Sequence, residues 1–348
     1  MMKVLKILLI PLVPVYALII GLRNLFFDKS VFKSKKVNAK VVSVGNLTIG
    51  GSGKTPFVIY LTNLLKESGY KLSVLSRGYG RTTKGYLLVS KNGEPLTEVQ
   101  NCGDEIYQTV IECKVPAAVC ENRVEGAKKL LEEVETNIIV LDDGFQHRWI
   151  DRNLDIVLFD QKFLLDKSLF YQSLLPLGIM REGFNSLHRS DAIIINRKFC
   201  KEPDKNLIER LRIYNKPIFT AFYKAISFVD MTRKTEYSLE EFNGQESLVI
   251  SGIANPTSFL SILKDVGVNT ENKIIFRDHK NYTLKEVQQI RREFYQTNSH
   301  SVVTTEKDAV KLLQFSREFD DIDIFYLKIA LCMDDEESLK RYLSEKIN

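Results

Sequence analysis

Short β-branched runs alternate along this chain with stretches of helical period, the pattern of a parallel sheet whose strands are joined through helices. Strands are expected at 40–44, 72–75, 117–120, 138–142, 155–159, 192–196 and 218–222, and helices near 55–67, 104–112, 122–134 and 203–213. Tyr86 to Ser90 and Leu96 to Val99 flank an Asn92-Gly93 pair, the signature of a tight hairpin. Residues 161–190, with Pro176, Gly178 and Gly183, break the periodicity, and an irregular stretch of that length in a compact domain usually carries function. A second alternating series begins near 245, with strands at 248–251, 273–276, 301–304 and 322–327 and helices at 257–266, 284–294, 308–315 and 336–346. Thr283 and Glu286 have the spacing of a capping box, which sets Asp278 and His279 in the loop just after a strand, where α/β sheets hold their ligands.

Ahead of the first strand lie sixteen uncharged residues, Ile7 to Leu22, interrupted by Pro11 and Pro14 and flanked by Lys3, Lys6, Arg23, Lys29, Lys33, Lys35 and Lys36. A spanning helix needs about 20 apolar residues, and a secretory signal needs a small-residue cleavage site that is absent here. The expectation is a helix lying in or dipping into a membrane surface, with Leu25, Phe26 and Phe27 extending its apolar face and lysines meeting anionic headgroups. Charge supports this: the net value is +5, yet residues 1–40 hold eight Lys/Arg against one acid, so the rest of the chain is slightly acidic. That distribution argues against nucleic acid as a partner and for one local anionic surface.

With 348 residues the chain divides into an N-terminal segment at 1–36, a larger domain at 37–225 and a smaller α/β domain at 226–348. A composition of 44% apolar and 27% charged residues excludes a disordered chain, and five scattered cysteines without CxxC spacing support neither a disulfide framework nor a structural zinc site.

The strongest chemical signal is VVSVGNLTIGGSGKTPFVIYLTNLL: an apolar strand, a glycine-rich loop, then Gly53-Lys54-Thr55 opening an apolar-periodic helix. Such a loop, here Thr48, Ile49, Gly50, Gly51, Ser52 and Gly53, turns backbone N–H groups inward around a phosphate, while Lys54 reaches the β/γ oxygens and the Thr55 hydroxyl suits Mg²⁺. Thr48 stands where the common pattern has glycine. A second apolar run ends in Asp142-Asp143, as a metal-supporting strand beside a phosphate loop should, and His147 follows where it can contact phosphate or metal ligands. Arg77 and Tyr79, in Ser76-Arg77-Gly78-Tyr79-Gly80-Arg81, offer a cation and an aromatic face for phosphates or a base. Asp104 and Glu105 open a helix, a position that also suits simple N-terminal capping. The fold class expected from this frame is a P-loop NTPase-like α/β/α sandwich with a second, smaller α/β domain and an N-terminal membrane-associating helix.

In order, VGNLTIGGSGKTP, LSRGYGR, GDE, LDDGFQHR, LPLGIMRE, RDHKNY and TTEKDA resemble the tetraacyldisaccharide 4'-kinase family, the lipid A 4'-kinases of Gram-negative bacteria, over nearly the whole chain. The resemblance implies a peripheral kinase at the cytoplasmic face of the inner membrane, using ATP and Mg²⁺ to phosphorylate the 4'-hydroxyl of a tetraacylated glucosamine disaccharide 1-phosphate. It makes Lys54 and Thr55 the phosphate and Mg²⁺ residues, Asp142 and Asp143 the metal-supporting acids, and Asp104 the base, assisted by His279. Glu105, on the metal side, and Arg123, His147, Arg181 and Glu182, on the substrate side, fall on matching motifs. Around Arg181 the chain reads PLGIMREG where the family is nearer PAGNLREP. A membrane-cycling ATPase switch would carry a second lysine at the position of Ile49, and a GTP-binding metallochaperone would carry NKxD where this chain has Asn196-Arg197-Lys198-Phe199.

Overall fold

A computed structural model describes residues 9–168, 170–253, 256–277 and 280–347. The apolar N-terminal run becomes helix α1 (Leu12–Asp28), which continues past the last residue of that run, Leu22. Pro14 is tolerated because it falls in the first turn, where a backbone N–H has no partner to lose. The extension has a clear cause in its faces: Arg23, Asn24 and Phe27 are turned towards the protein, while Leu12, Val15, Leu18, Ile19, Leu22, Leu25 and Phe26 are exposed. Phe27 is buried edge-on against Phe32 and Trp149 at 5.3 and 4.9 Å between centroids, with the Arg148 guanidinium over its ring.

Contacts divide the chain into two compact units, one comprising everything up to Phe222 together with the stretch from Leu331 on, the other Tyr223–Ala330. The first unit is built on β1 (Lys40–Gly45), β2 (Leu72–Ser76), β3 (Leu87–Ser90), β4 (Ala117–Val119), β5 (Ile138–Asp142), β6 (Leu154–Asp160), β7 (Ala192–Asn196) and the start of β8 (Ile218–Asp230). Their order is β8-β7-β6-β1-β5-β2-β4-β3, with β3 antiparallel to β4 and the other described pairs parallel. All five residues of β5 are buried, as expected of a strand with both faces covered. Central β1 pairs Val44 with Asp142 on one side and with Ile156 on the other, so the chain reverses direction around β1 and opens a crevice beyond its carboxyl end. Helices α2 (Lys54–Glu67) and α3 (Asp104–Cys113) pack on each other, and α4 (Arg123–Glu133), capped by the Asn122 side chain, packs on β2 and β4.

Two expectations need correction. Leu87–Ser90 forms no extended ladder with 96–99: it runs antiparallel along the edge of β4, and the return segment makes one bridge, Ser90 to Pro95, with the Leu96 N–H on the Val89 carbonyl at 2.8 Å, before Val99–Cys102 coils into a helical turn. Pro95 has no N–H to extend a ladder, so the Asn92-Gly93 turn is not followed by a second strand. The last helix, α5 (Glu336–Ile347), belongs with the first unit and not with the residues before it. Asp334 receives Arg197 in a bidentate pair, Tyr60 donates to Glu336 at 2.9 Å, and Tyr342 donates to the Asp191 carbonyl at 2.8 Å.

The second unit carries β9 (Glu236–Tyr237), antiparallel to the end of β8, and a parallel sheet ordered β11 (Lys273–Ile275), β10 (Ser247–Ser251), β12 (Ser301–Thr305), β13 (Ile324–Met333). Leu248, Ile250, Val287, Ile290, Val302, Leu312 and Ile324 form its core. The Thr283/Glu286 capping box is present at the start of the helix Leu284–Gln296.

Leu130 of α4 is fully buried among Leu75, Ala118, Ile139 and Leu141. Leu130→Ala should therefore cost about 2–5 kcal/mol and lower the urea midpoint of the cooperative transition; an unchanged midpoint would show that α4 does not complete the core.

Candidate active site

The carboxyl end of β1 leads through Asn46, Leu47 and Thr48 into the glycine-rich loop. Gly50, Gly51 and Gly53 take φ of +72°, +63° and +88°, a left-handed path that side chains with a Cβ resist. Gly53 then starts α2 with no side-chain cap, leaving the first N–H groups of a 14-residue helix free for an anion. The loop is anchored from below. The buried Asn46 amide donates to Ser52 Oγ at 2.8 Å and Thr48 Oγ1 at 3.2 Å, and the Ile49 N–H donates to the Ile179 carbonyl at 2.8 Å. Ile49 leaves its side chain exposed.

Beyond β5, Asp143 adopts φ +53° and directs its carboxylate at Lys54 and Arg181. Lys54 Nζ lies 3.6 Å from Oδ1, and Arg181 grips both oxygens at 2.7 and 2.9 Å. Burial works against ionisation of Asp143, but the Arg181 hydrogen bonds and the Lys54 charge outweigh it and hold the carboxyl down at about 2. Neighbouring Asp142 behaves in the opposite way. Burial, followed by the charges of Glu105 and Asp143, pushes it up to about 7 against the pull of Lys54 and a Ser76 hydrogen bond.

His147 and Arg123 form a second pair. The Arg123 backbone N–H donates to His147 Nε2 at 3.3 Å, so Nδ1 carries the ring proton. Burial, then the charges of Arg123, Arg23, Arg152 and Arg77, depress His147 to about 4, which keeps the imidazole neutral at physiological pH. Arg123 is itself buried, bonded to the carbonyls of Cys120 and Glu121, with Nε unpartnered.

The remaining candidates separate by exposure. Asp104 and Glu105 stand exposed in the first turn of α3, with the Glu105 charge acting on Asp142; Arg77 is exposed and Tyr79 is 83% exposed. Glu182 is almost fully buried, its Oε2 accepting from Arg189 at 2.6 Å, Ser186 at 2.8 Å and Asn24 at 3.2 Å. His279 lies outside the described residues. One residue that the sequence reading did not single out is Asn46, which also accepts from Arg181 and, through its carbonyl, from Gln146 at 2.8 Å. Its only sequence signal is its place directly after β1, inside the GNLT run.

Among the described residues no group of three or more His, Cys, Asp or Glu is arranged to hold a metal ion. Mg²⁺ asks for less, one or two carboxylates with the rest from water and phosphate. Asp142 Oδ1, buried without a partner, together with Glu105 and the Thr55 hydroxyl, is a donor set of that kind.

Fold and site thus define an α/β protein with a cap-free helix N-terminus, a fixed lysine and paired carboxylates gathered at the switch point of a parallel sheet, the class that handles phosphoryl groups. The chain belongs to the tetraacyldisaccharide-1-P 4'-kinase family, whose match covers residues 5–348. It is 32% identical to the tetraacyldisaccharide 4'-kinase of Aquifex aeolicus over 96% of this chain and 97% of that one, and 34% identical to that of Chlorobium phaeovibrioides over 99% and 98%. The crystal structure of LpxK from Aquifex aeolicus in complex with ATP superposes with a TM-score of 0.77 at 30% identity, covering 99% of this chain and all of that one.

The two aspartates make a prediction about pH. Asp142 is raised in the folded state, so its contribution to stability is full below the unfolded carboxyl value of about 4 and is lost as pH rises through about 7. Asp142→Asn, neutral at every pH, should melt above the parent protein at pH 8 without nucleotide or divalent cation, and the difference should shrink at pH 5. A difference in melting temperature that stays constant from pH 5 to 8 would contradict the assignment.

Proposed function

We propose that this chain transfers the γ-phosphate of ATP to the 4'-hydroxyl of a tetraacylated glucosamine disaccharide 1-phosphate, the lipid A precursor. The observation that carries the reading is the Lys54–Asp143–Arg181 cluster set at the mouth of the uncapped helix α2, in a chain of this family. Phosphoryl transfer asks little covalent chemistry of a protein and much positioning of charge. Backbone N–H groups from Gly50 to Lys54 cradle the phosphates, Lys54 meets the β/γ oxygens, and Asp143 fixes where Lys54 points. Thr55, Asp142 and Glu105 hold Mg²⁺, which when bound neutralises charge on the phosphate oxygens. Arg77 and Tyr79 face the nucleotide. Asp104, exposed at the start of α3, is the base that accepts the hydroxyl proton. Arg123 and the neutral His147 serve the substrate, His147 as a hydrogen-bond donor and not as a cation. Arg181 and Glu182, held by protein partners through the Arg181 terminal nitrogens and Glu182 Oε2, act on the substrate by shaping the loop that carries them.

The outward face of α1 supplies the lipid contact. Leu18 and Ile19 are about 60% exposed, and Lys29, Lys33, Lys35 and Lys36 follow directly, a combination suited to the anionic cytoplasmic face of the inner membrane. No helix among the described residues is long and apolar enough to cross a bilayer.

The test is transfer from γ-labelled ATP to the disaccharide 1-phosphate in detergent, with the label located at the 4' position. Lys54→Ala should remain folded and lose at least about 10²-fold in transfer, because the missing charge acts on the phosphates in the transition state; near-normal turnover would remove the loop from the mechanism. Separately, Leu18→Ser with Leu22→Ser should release the folded protein from anionic vesicles in co-sedimentation. Full pelleting of that variant would place the lipid contact elsewhere.

A further inference from the structure

An apolar outward face is all that a lipid anchor needs, yet α1 carries four polar side chains, Tyr16, Arg23, Asn24 and Asp28, and each is bonded to the protein. Tyr16 Oη donates to the Arg181 carbonyl at 3.0 Å, Asn24 Nδ2 donates to Glu182 at 3.2 Å, and Arg23 donates to the Gln146 carbonyl. Asp28 receives Arg148 at 2.7 Å, and Arg148 also donates to the Asn24 carbonyl at 3.1 Å. Every one of these bonds ends on 146–148 or 181–182, the segment just after Asp143 and the segment that clamps it. From there the network is continuous. The Arg181 guanidinium holds Asp143 and Asn46, Gln146 holds the Asn46 carbonyl, and Asn46 holds Ser52 and Thr48 in the phosphate loop.

We propose that Tyr16 and Asn24 are positioning residues: by tying the Arg181 carbonyl and the Glu182 carboxylate to α1, they make the Arg181 clamp on Asp143 depend on how α1 is seated, and so couple lipid engagement of its outer face to turnover. The proposal rests on the reading of Lys54 and Asp143 as phosphate machinery and of the outer face of α1 as the lipid contact. Its physical basis is the make-up of the inner side of α1. Phe27 is the one buried side chain of the helix, at its carboxyl end, while Tyr16, Arg23 and Asn24 meet the protein through hydrogen bonds, so the seating of the helix ahead of Phe27 rests largely on directional bonds that respond to small displacements. Tyr16 is also held in its neutral, donating form, since burial and then the nearby Glu182 charge raise its pKa.

The test uses the full-length enzyme with ATP and the disaccharide 1-phosphate in mixed micelles. Tyr16→Phe deletes one hydrogen bond and keeps the ring, so it should leave the melting temperature, vesicle co-sedimentation and the KM for lipid unchanged while lowering kcat about fivefold to tenfold. Asn24→Asp sets a second carboxylate against buried Glu182 and should lower kcat further. In an Arg181→Ala background, Tyr16→Phe should add no further loss, because both act through one clamp. A Tyr16→Phe enzyme with parental kcat, or one whose loss is confined to the KM for lipid, overturns the proposal, as does a loss that multiplies with that of Arg181→Ala. Lys54→Ala run in parallel separates the layers: near-normal turnover there would overturn the underlying reading of the site, whereas its loss together with a silent Tyr16→Phe overturns the coupling alone.

Discussion

The ion pair on which this architecture turns is the bidentate grip of Arg181 on Asp143, with Lys54 closing on the same carboxylate. Two adjacent aspartates at the end of one strand cannot both be ionised cheaply in a buried place, since like charges so close raise each other's pKa. The protein resolves the conflict by giving the Arg181 and Lys54 ion pairs to one of them. Asp143 stays ionised and becomes the fixed point for Lys54, while Asp142 is left with a bare, buried oxygen and an affinity for a proton that a divalent cation can replace. The positive φ of Asp143 belongs to the same device, because it turns the side chain out of the strand pleat and towards α2.

Backbone proximity makes this possible. A Cβ on Gly45 would stand 2.5 Å from Phe145 Cβ, and one on Gly144 would stand 2.6 Å from Ser43 Oγ. The end of β1 and the turn after β5 therefore approach as closely as two backbones can, which sets the phosphate loop and the aspartate pair within reach of one lysine side chain. Asn46 then carries the geometry across: it ties the loop above to Arg181 beside it, and α1 is bonded to the far side of the same segment. The site is thus held from the sheet, from the loop and from the N-terminal helix.

How much of this could be read from the sequence follows from which forces are local. β1, the glycine loop and the start of α2 were legible because strand period, φ-permissive glycines and helix period lie in one continuous run, and β5 with its terminal aspartates was legible as an apolar run ending in charge. The reach of α1 past Leu22 was legible too, in Leu25, Phe26 and Phe27, and the helix runs to Asp28; what no local pattern showed is that Phe27 turns inward and that Arg23, Asn24 and Asp28 find partners 120 and more positions away in sequence, at 146–148 and 181–182. The same holds for α5, which is assigned to the first unit by long-range bonds from Tyr60, Asp191 and Arg197. The hairpin reading at Asn92-Gly93 recognised the turn and missed the competitor, the free edge of β4. Asn46 and the inward face of α1 carry no motif of their own, since a buried asparagine or a half-buried tyrosine declares its role only through the groups it meets.

The division of labour between the two aspartates is the central claim, and site-resolved carboxyl ¹³C NMR of the full-length protein, titrated without nucleotide or divalent cation, measures it directly. The account predicts that Asp142 titrates with a midpoint near 7 while Asp143 stays ionised down to about 2. Two carboxyls titrating together near the ordinary value of about 4 would contradict it, because neither the desolvated acceptor nor the clamped anion would then exist.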